Sequence, residues 1–132
     1  MVKVLVVDDS KAVQRSFSSL IAPLPHVDLV GCAEDVGSAL ALIDAHMPDL
    51  IVLDVELRHG ERGIDLLRHV ARWHPAMLVI VLSNFTGQAM RKDLLSAGAL
   101  AYFDKSNEFT LARDWIAARA VEMASEFSRL RP

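Results

Sequence analysis

The sequence has few of the features that mark secreted, membrane or nucleic-acid-binding proteins. Cys32 is the single cysteine among 132 residues, so an internal disulfide is excluded and a reducing compartment is favoured. No apolar run approaches the roughly 20 residues of a transmembrane helix, and the run at residues 2–7 is too short for a signal peptide. The net charge of −3 argues against binding to nucleic acid or anionic membranes. We therefore expect a soluble, cytoplasmic protein.

The composition is that of one globular domain. Hydrophobic residues make up 52% of the chain and charged residues 23%, which is enough apolar material to build a core and excludes disorder. A chain of this size buries about two thirds of the surface that its unfolded form exposes. There is no room for a second folded unit, so any output must come from this domain or from a partner.

Five strand-length runs alternate with five segments in which apolar residues recur at helical spacing. Most of the runs are apolar without alternation, which is typical of parallel strands covered on both faces. This order predicts an α/β fold with a doubly wound, five-stranded parallel sheet, whose ligands bind at the carboxyl ends of the strands. The predicted strands are residues 2–7, 27–33, 50–55, 77–82 and 99–103, and the predicted helices are 12–22, 36–45, 64–73, 88–97 and 107–130.

Capping residues support these boundaries. Ser10 is the predicted N-cap of the first helix and Asn107 that of the last, and Gly98 lies where a glycine would end the fourth helix. A helix over residues 107–130 would be about 36 Å long. It would therefore overhang the domain while keeping an apolar stripe as far as Leu130, and the stripe would need a partner or a fold-back.

Polar residues stand at the ends of four of the predicted strands, at the edge where a ligand would bind. Two unit charges about 4 Å apart repel by roughly 4 kcal/mol at an effective dielectric constant of 20, so neighbouring carboxylates there need positive charge. A lysine supplies part of it, and Mg²⁺ suits one or two carboxylates with water and a phosphate oxygen. The pattern thus implies a metal-assisted phosphate site. The residues in question are Asp8, Asp9, Asp54, Ser83, Asn84, Asp104 and Lys105.

These motifs resemble the receiver domain of the response regulators of two-component signal transduction, the CheY-like superfamily. The resemblance covers about residues 1–122 and leaves 123–132 as a C-terminal extension of the last helix. It implies a flavodoxin-like (βα)5 fold with strand order 2-1-3-4-5. The motifs that carry it are Val6-Val7-Asp8-Asp9-Ser10, Leu53-Asp54, Leu82-Ser83 and Tyr102-Phe103-Asp104-Lys105-Ser106.

The resemblance implies a phosphoacceptor site. Asp54 would accept a phosphoryl group from a sensor histidine kinase or a histidine phosphotransfer protein. Mg²⁺ would be held by Asp8, Asp9, Asp54 and the backbone carbonyl of Glu56, and Lys105 would pair with the phosphoryl group. Such a domain is a signalling domain and not an enzyme, because it promotes only its own phosphorylation and slow dephosphorylation.

The resemblance also implies a conformational switch. Ser83 would donate its hydroxyl to the phosphoryl group, and the ring of Tyr102 would turn inward as the Ser83 loop moves. The change would reach a downstream protein target at the face made by the fourth helix, the fifth strand and the fifth helix. The alternative for Tyr102 is ordinary sheet packing with its hydroxyl at the surface.

Two departures from the family pattern concern the loops beside the phosphoacceptor. The stretch at residues 54–63 is one residue longer than usual and lacks the customary proline, so we expect a rearranged loop there. Glu56 and Phe85 occupy the positions that help to set how fast water removes the phosphoryl group. Because a phenyl ring cannot position water, Phe85 predicts slow self-dephosphorylation.

Two further departures concern the switch and the fifth strand. Asn84 is larger than the residue usual at its position, and we expect it to hinder loop closure or the inward rotation of Tyr102. Ser106 stands where a proline usually follows the lysine. A cis Lys105–Ser106 peptide would cost about 2.5–4 kcal/mol, so a trans bond with a shifted loop is the alternative.

Three functional hypotheses remain open from the sequence. The first is a stand-alone phosphorylatable receiver, with homodimerisation through the face of the fourth helix, fifth strand and fifth helix as a possibility. The second is the receiver part of a longer regulator with an output domain. The third is an interaction module that keeps the receiver fold and works without phosphorylation.

Overall fold

The computed structural model describes residues 1–84 and 87–130, with side chains described up to residue 126. Five strands alternate with five α-helices, as predicted, and every predicted boundary lies within two residues of the observed one. The strands are β1 (Val2–Val7), β2 (Val27–Ala33), β3 (Leu50–Leu53), β4 (Leu78–Ser83) and β5 (Ala101–Asp104). The helices are α1 (Lys11–Ile21), α2 (Val36–His46), α3 (Gly63–Trp73), α4 (Gln88–Ser96) and α5 (Phe109–Leu130).

The strands form one parallel sheet in the order β2-β1-β3-β4-β5, which confirms the predicted α/β fold and its strand order. Side chains that alternate along a strand enter opposite layers. Leu5 and Val7 pack in the core beneath α2, α3 and α4, whereas Val4 and Val6 pack beneath α1 and α5. Both faces are thus covered, which explains why the strands are apolar without alternation.

The helix termini follow the predicted caps with one exception. Ser10 accepts a hydrogen bond from the Val13 N–H at 3.2 Å, and Gly98, with φ of 119°, follows the end of α4. Asn107 was predicted to cap the last helix, and this is wrong because α5 begins at Phe109. Asp104 and Glu108 form a hydrogen-bonded turn there, in which the Asp104 N–H donates to the Glu108 carboxylate at 2.8 Å.

Helix α5 continues beyond the part that packs on the sheet. Ala112, Ile116 and Ala120 face the core at a spacing of four residues, and among the side chains described up to residue 126 Met123 is the last that packs against that core. The helix runs on to Leu130, and the part of the predicted apolar stripe at residues 127–130 lies outside the described side chains. The boundary between 122 and 123 stays a prediction. Over residues 1–84 and 87–130, no helix is both long and apolar enough to cross a membrane.

The loop between β3 and α3 forms a very small hairpin. Glu56 and Arg62 pair as an antiparallel bridge, and the Leu57 N–H donates to the Glu61 carbonyl at 2.9 Å. A single 3₁₀ turn at Arg58–Gly60 closes the hairpin. The Glu61 carboxylate accepts a hydrogen bond from the N–H of the first residue of α2 at 3.1 Å. This bond connects the longer loop to the neighbouring helix.

Gly63, the first residue of α3, lies directly against the backbone of Asp54. Its N–H donates to the Val55 carbonyl at 2.6 Å, and a Cβ at this position would come within 2.1 Å of the Asp54 carbonyl oxygen. Since side-chain atoms cannot approach a backbone oxygen so closely, the loop and Asp54 keep this arrangement only with glycine at position 63.

We expect Gly63→Ala to lower the free energy of unfolding by about 1–3 kcal/mol, because the added methyl group has to displace backbone atoms. Gly37→Ala is the matched control, since it also adds a methyl group in the first turn of a helix but meets its nearest atom at 3.8 Å. That control should leave stability unchanged or raise it by about 0.5–1 kcal/mol. Urea unfolding followed by circular dichroism measures both, and equal stability of the two variants would contradict the close packing of Gly63.

Candidate functional site

The carboxyl ends of β1, β3, β4 and β5 bring the predicted polar residues to one rim. Asp8, Asp9 and Asp54 each offer a carboxylate oxygen, and these oxygens lie within 4.8 Å of one another. Asp8 and Asp54 are buried, whereas Asp9 is exposed. Strands of a parallel sheet all end at the same edge, so residues far apart in sequence meet there.

Hydrogen bonds from the backbone and from one helix fix the position of Asp8. Its N–H donates to the Ala33 carbonyl at 2.9 Å, and its carboxylate accepts from the Ser10 N–H at 2.9 Å. The buried amide of Gln14 donates to the Asp8 carbonyl at 2.6 Å and to the Ala33 carbonyl at 3.3 Å. Sequence analysis missed Gln14, and the signal was a polar residue at the helical spacing of the buried Phe17 and Ile21.

Lys105 lies between the two buried carboxylates. Its Nζ is 2.6 Å from Asp8 Oδ2 and 2.8 Å from Asp54 Oδ2, and all three side chains are at most 9% exposed. The Lys105 N–H also donates to the Ser83 carbonyl at 3.0 Å, which links the ends of β5 and β4. The cation that the sequence placed among these carboxylates therefore contacts two of them directly.

Burial and pairing act in opposite directions on these groups. Burial raises the pKa of Asp8 above its ordinary value, and the Lys105 ammonium and the Ser10 N–H only partly oppose it. For Lys105, burial alone would lower the pKa, but hydrogen bonds to Asp54 and Asp8 outweigh it, so the net direction is upward. The lysine therefore keeps its charge at neutral pH.

An open cavity of about 310 Å³ lies beside the carboxylates. One water molecule occupies roughly 30 Å³ in the liquid. The cavity is therefore large enough for a phosphoryl group together with a partly hydrated cation. Its oxygen-rich lining is the donor set that Mg²⁺ prefers, so the residues fit that ion. The lining consists of Asp9, Ser10, Val13, Asp54, Glu56, Ser83, Asn84 and Lys105.

Tyr102 is buried, with 8% of its surface exposed, and packs in the layer of α2, α3 and α4. The alternative of a surface hydroxyl is not observed, because the Tyr102 hydroxyl is itself buried; no residue described in the structure meets it with hydrogen-bond geometry. The switch role of Tyr102 stays a prediction. Burial raises the pKa of Tyr102, and the neighbouring Ser83 side chain partly offsets this. Asn84 is exposed and lines the cavity, and the expected hindrance of loop closure or ring rotation by Asn84 stays a prediction.

Two other predictions about loops have different outcomes. The Lys105–Ser106 peptide is trans, as are all peptide bonds of residues 1–84 and 87–130, so the trans alternative is the observed one. Phe85 lies outside the described residues, and slow self-dephosphorylation stays a prediction.

Comparison with known proteins gives the same fold and family. The family model described as the response regulator receiver domain matches residues 4–115. A two-component response regulator of the LuxR family from Aurantimonas sp. SI85-9A1 has a solved structure that superimposes with a TM-score of 0.82 at 29% identity, covering 91% of this chain and 85% of that one.

Two curated relatives are longer proteins. The DNA-binding transcriptional activator DevR/DosR of Mycobacterium tuberculosis is 38% identical over 105 residues, which are 80% of this chain and 48% of the relative. A protein-glutamate methylesterase/protein-glutamine glutaminase of Shewanella oneidensis is 36% identical over 107 residues, 80% of this chain and 30% of the relative. This chain therefore spans less than half the length of either.

The match to the family model covers most of the chain and includes every strand end that forms the carboxylate site. The expectation of a signalling receiver domain is therefore confirmed. The chain belongs to the family of response regulator receiver domains of two-component systems.

Proposed function

We propose that this receiver accepts a phosphoryl group on Asp54 in a reaction that uses Mg²⁺. The donor is a phosphohistidine of a sensor histidine kinase or of a histidine phosphotransfer protein. The observation that carries the proposal is the position of the buried Asp54 carboxylate, which lines the open cavity, lies beside Asp8 and Asp9 and pairs with Lys105 at 2.8 Å.

The chemistry is an in-line displacement in which the residues act mainly by positioning. The Asp54 carboxylate attacks phosphorus, a P–O bond forms, and the P–N bond to the donor imidazole breaks. Lys105 orients the attacking carboxylate before the reaction and offsets negative charge that collects at the site. Asp54 lines an open cavity, so the phosphohistidine of the donor can reach its carboxylate.

The metal would be held by Asp8, Asp9, Asp54 and the backbone carbonyl of Glu56. When bound, Mg²⁺ supplies charge neutralisation between the anionic nucleophile and the anionic phosphoryl group. Asp8 is held for this role by the Ser10 N–H and by the Gln14 amide, which acts on its backbone. Asp9, which is exposed, can accept an ion from the solvent side without moving the sheet.

The response reaches the protein surface through Ser83 and Tyr102. Both side chains are buried, and they come from the adjacent strands β4 and β5. We propose that the Ser83 hydroxyl donates to the phosphoryl group and that Tyr102 fixes the α4/β5/α5 face for a downstream protein target. The domain works in the cytoplasm, where Cys32 stays a free thiol.

A receiver within a longer regulator would use the same site and pass the change to an output domain. The activities named for the relatives, transcriptional activation with DNA binding and methylesterase, belong to proteins of which this chain spans 48% and 30%. Neither activity is part of the present proposal.

Phosphorylation of Asp54 should be visible in the intact mass of the protein. After incubation with Mg²⁺ and acetyl phosphate we expect a gain of about 80 Da per chain, because one phosphoryl group is added to the nucleophilic carboxylate. Asp54→Asn keeps the shape of the side chain and removes the nucleophile, so it should show no gain, and neither should the wild type with excess chelator.

A gain that persists in Asp54→Asn would contradict Asp54 as the acceptor. The absence of any gain in the wild type, together with no Mg²⁺ binding by calorimetry, would instead support an interaction module that works without phosphorylation. These two results are distinguishable because the first requires transfer to another residue and the second requires none.

Lys105→Met should lower the free energy of unfolding by about 3 kcal/mol without Mg²⁺, because it leaves two buried carboxylates without their counter-ion. The variant should regain more stability from added Mg²⁺ than the wild type does, since the uncompensated carboxylates attract the ion more strongly. Lys92→Met, at an exposed position of α4, is the control and should change stability by less than about 0.5 kcal/mol. Urea unfolding with Mg²⁺ or EDTA tests this, and an equal response of both variants would refute it.

Homodimerisation through the α4/β5/α5 face is motivated by the long α5 and by two exposed leucines, Leu95 on α4 at 44% and Leu111 on α5 at 53%. We expect light scattering to show a doubled molar mass after phosphorylation, and Leu111→Glu to reduce that increase because a charge would enter the apolar contact. A monomer both before and after phosphorylation would contradict the dimer.

A further inference from the structure

Arg91 of α4 contacts Tyr102 in two ways. Its guanidinium carbon lies 5.0 Å from the centre of the Tyr102 ring, and its Nη2 donates to the Tyr102 backbone carbonyl at 3.1 Å. A guanidinium within about 6 Å of an aromatic ring is attracted by the negative face of the ring. One side chain on a helix therefore holds both the ring and the backbone of a residue on the neighbouring strand.

The charge of Arg91 is directed at Tyr102 and not at a carboxylate. Asp104 and Glu108 line the same small cavity of about 100 Å³ as Arg91 and Tyr102. The Asp104 carboxylate accepts from Ser106, and the Glu108 carboxylate accepts from the Asp104 N–H. Among the ion pairs that the described residues form, none includes Arg91.

The buried Tyr102 hydroxyl shows why such a contact matters. Burying a hydroxyl without a hydrogen bond of good geometry is unfavourable, and the Tyr102 hydroxyl has no such bond with the residues that the structure describes. The ring is nevertheless buried, so favourable contacts must offset this cost. Arg91 supplies two of them, one to the ring and one to the Tyr102 backbone carbonyl.

We propose that Arg91 is a positioning residue that holds Tyr102 in its buried orientation before phosphorylation and joins α4 to β5. The proposal deepens the proposed function, because it states how the switch residue is biased. With Arg91 present, phosphorylation changes the ring orientation little and acts on a surface that is already formed. Without Arg91, the ring should depend on the state of Asp54.

The sequence offers a clean probe, since Tyr102 is the single tyrosine of the chain. Protein labelled with 3-fluorotyrosine gives ¹⁹F resonances from this ring alone, and the shift between H₂O and D₂O measures its exposure to solvent. The variants are Arg91→Ala, Arg91→Lys, which keeps the charge without the planar group, and Arg91→Gln, which keeps an amide donor without the charge. Lys92→Ala is the matched control, because it removes the same charge from the next residue of α4.

We expect the wild type and Lys92→Ala to show one resonance with a small solvent shift when Mg²⁺ is present without a phosphodonor. In Arg91→Ala a second, solvent-exposed resonance should appear with an intensity at least fivefold above the detection limit of the wild-type spectrum, and Arg91→Lys and Arg91→Gln should give intermediate intensities. A spectrum of Arg91→Ala that equals that of the wild type would overturn the proposal. Should circular dichroism show that Arg91→Ala does not fold, the Lys and Gln variants decide by the same criterion.

A second arm separates this inference from the phosphorylation mechanism. Adding acetyl phosphate to Arg91→Ala should return the ring to the buried resonance, with the intact mass showing the extra phosphoryl group. If the mass increases and the exposed resonance persists, the switch role of Tyr102 fails while the positioning role of Arg91 stands. If the mass does not increase, the proposed function fails. The ¹⁹F spectra recorded without a phosphodonor then still test the positioning role of Arg91.

Discussion

A buried ammonium between two carboxylates is the interaction on which this rim of the sheet depends. Asp8 and Asp54 are brought together because β1 and β3 are neighbours, and the fold alone would leave two negative charges in a poorly solvated place. Lys105 contacts both, and its own charge is kept by that contact despite burial. The ammonium offsets part of the charge of the two carboxylates, so the trio keeps a net negative charge.

The backbone around this site is held by contacts that have no chemical role of their own. Gln14 joins the ends of β1 and β2 by donating to two carbonyls, and Gly63 lets α3 begin directly against Asp54. The hairpin between β3 and α3 is tied in turn to the first turn of α2 through Glu61. The placement of the Asp54 carboxylate thus depends on residues outside the lining of the cavity beside it.

Strand β5 links the charge chemistry to the protein surface. Lys105 follows its last residue and faces the carboxylates, while Tyr102, three residues earlier, packs in the layer beneath α4. The Lys105 N–H also joins the end of β4 through the Ser83 carbonyl. Lys105 therefore connects Asp54 to the two strands that carry Ser83 and Tyr102.

The sequence by itself determined the alternation of strands and helices, the burial of both sheet faces and the set of carboxylates and lysine at the strand ends. These follow from local apolar spacing and from the common edge at which parallel strands end. Tertiary structure decided the contacts of Gln14, Gly63 and Arg91 and the burial of Tyr102. These contacts join different elements that meet only once the chain has folded, so local spacing does not encode them. The late start of α5 at Phe109 instead follows from the hydrogen-bonded turn between Asp104 and Glu108.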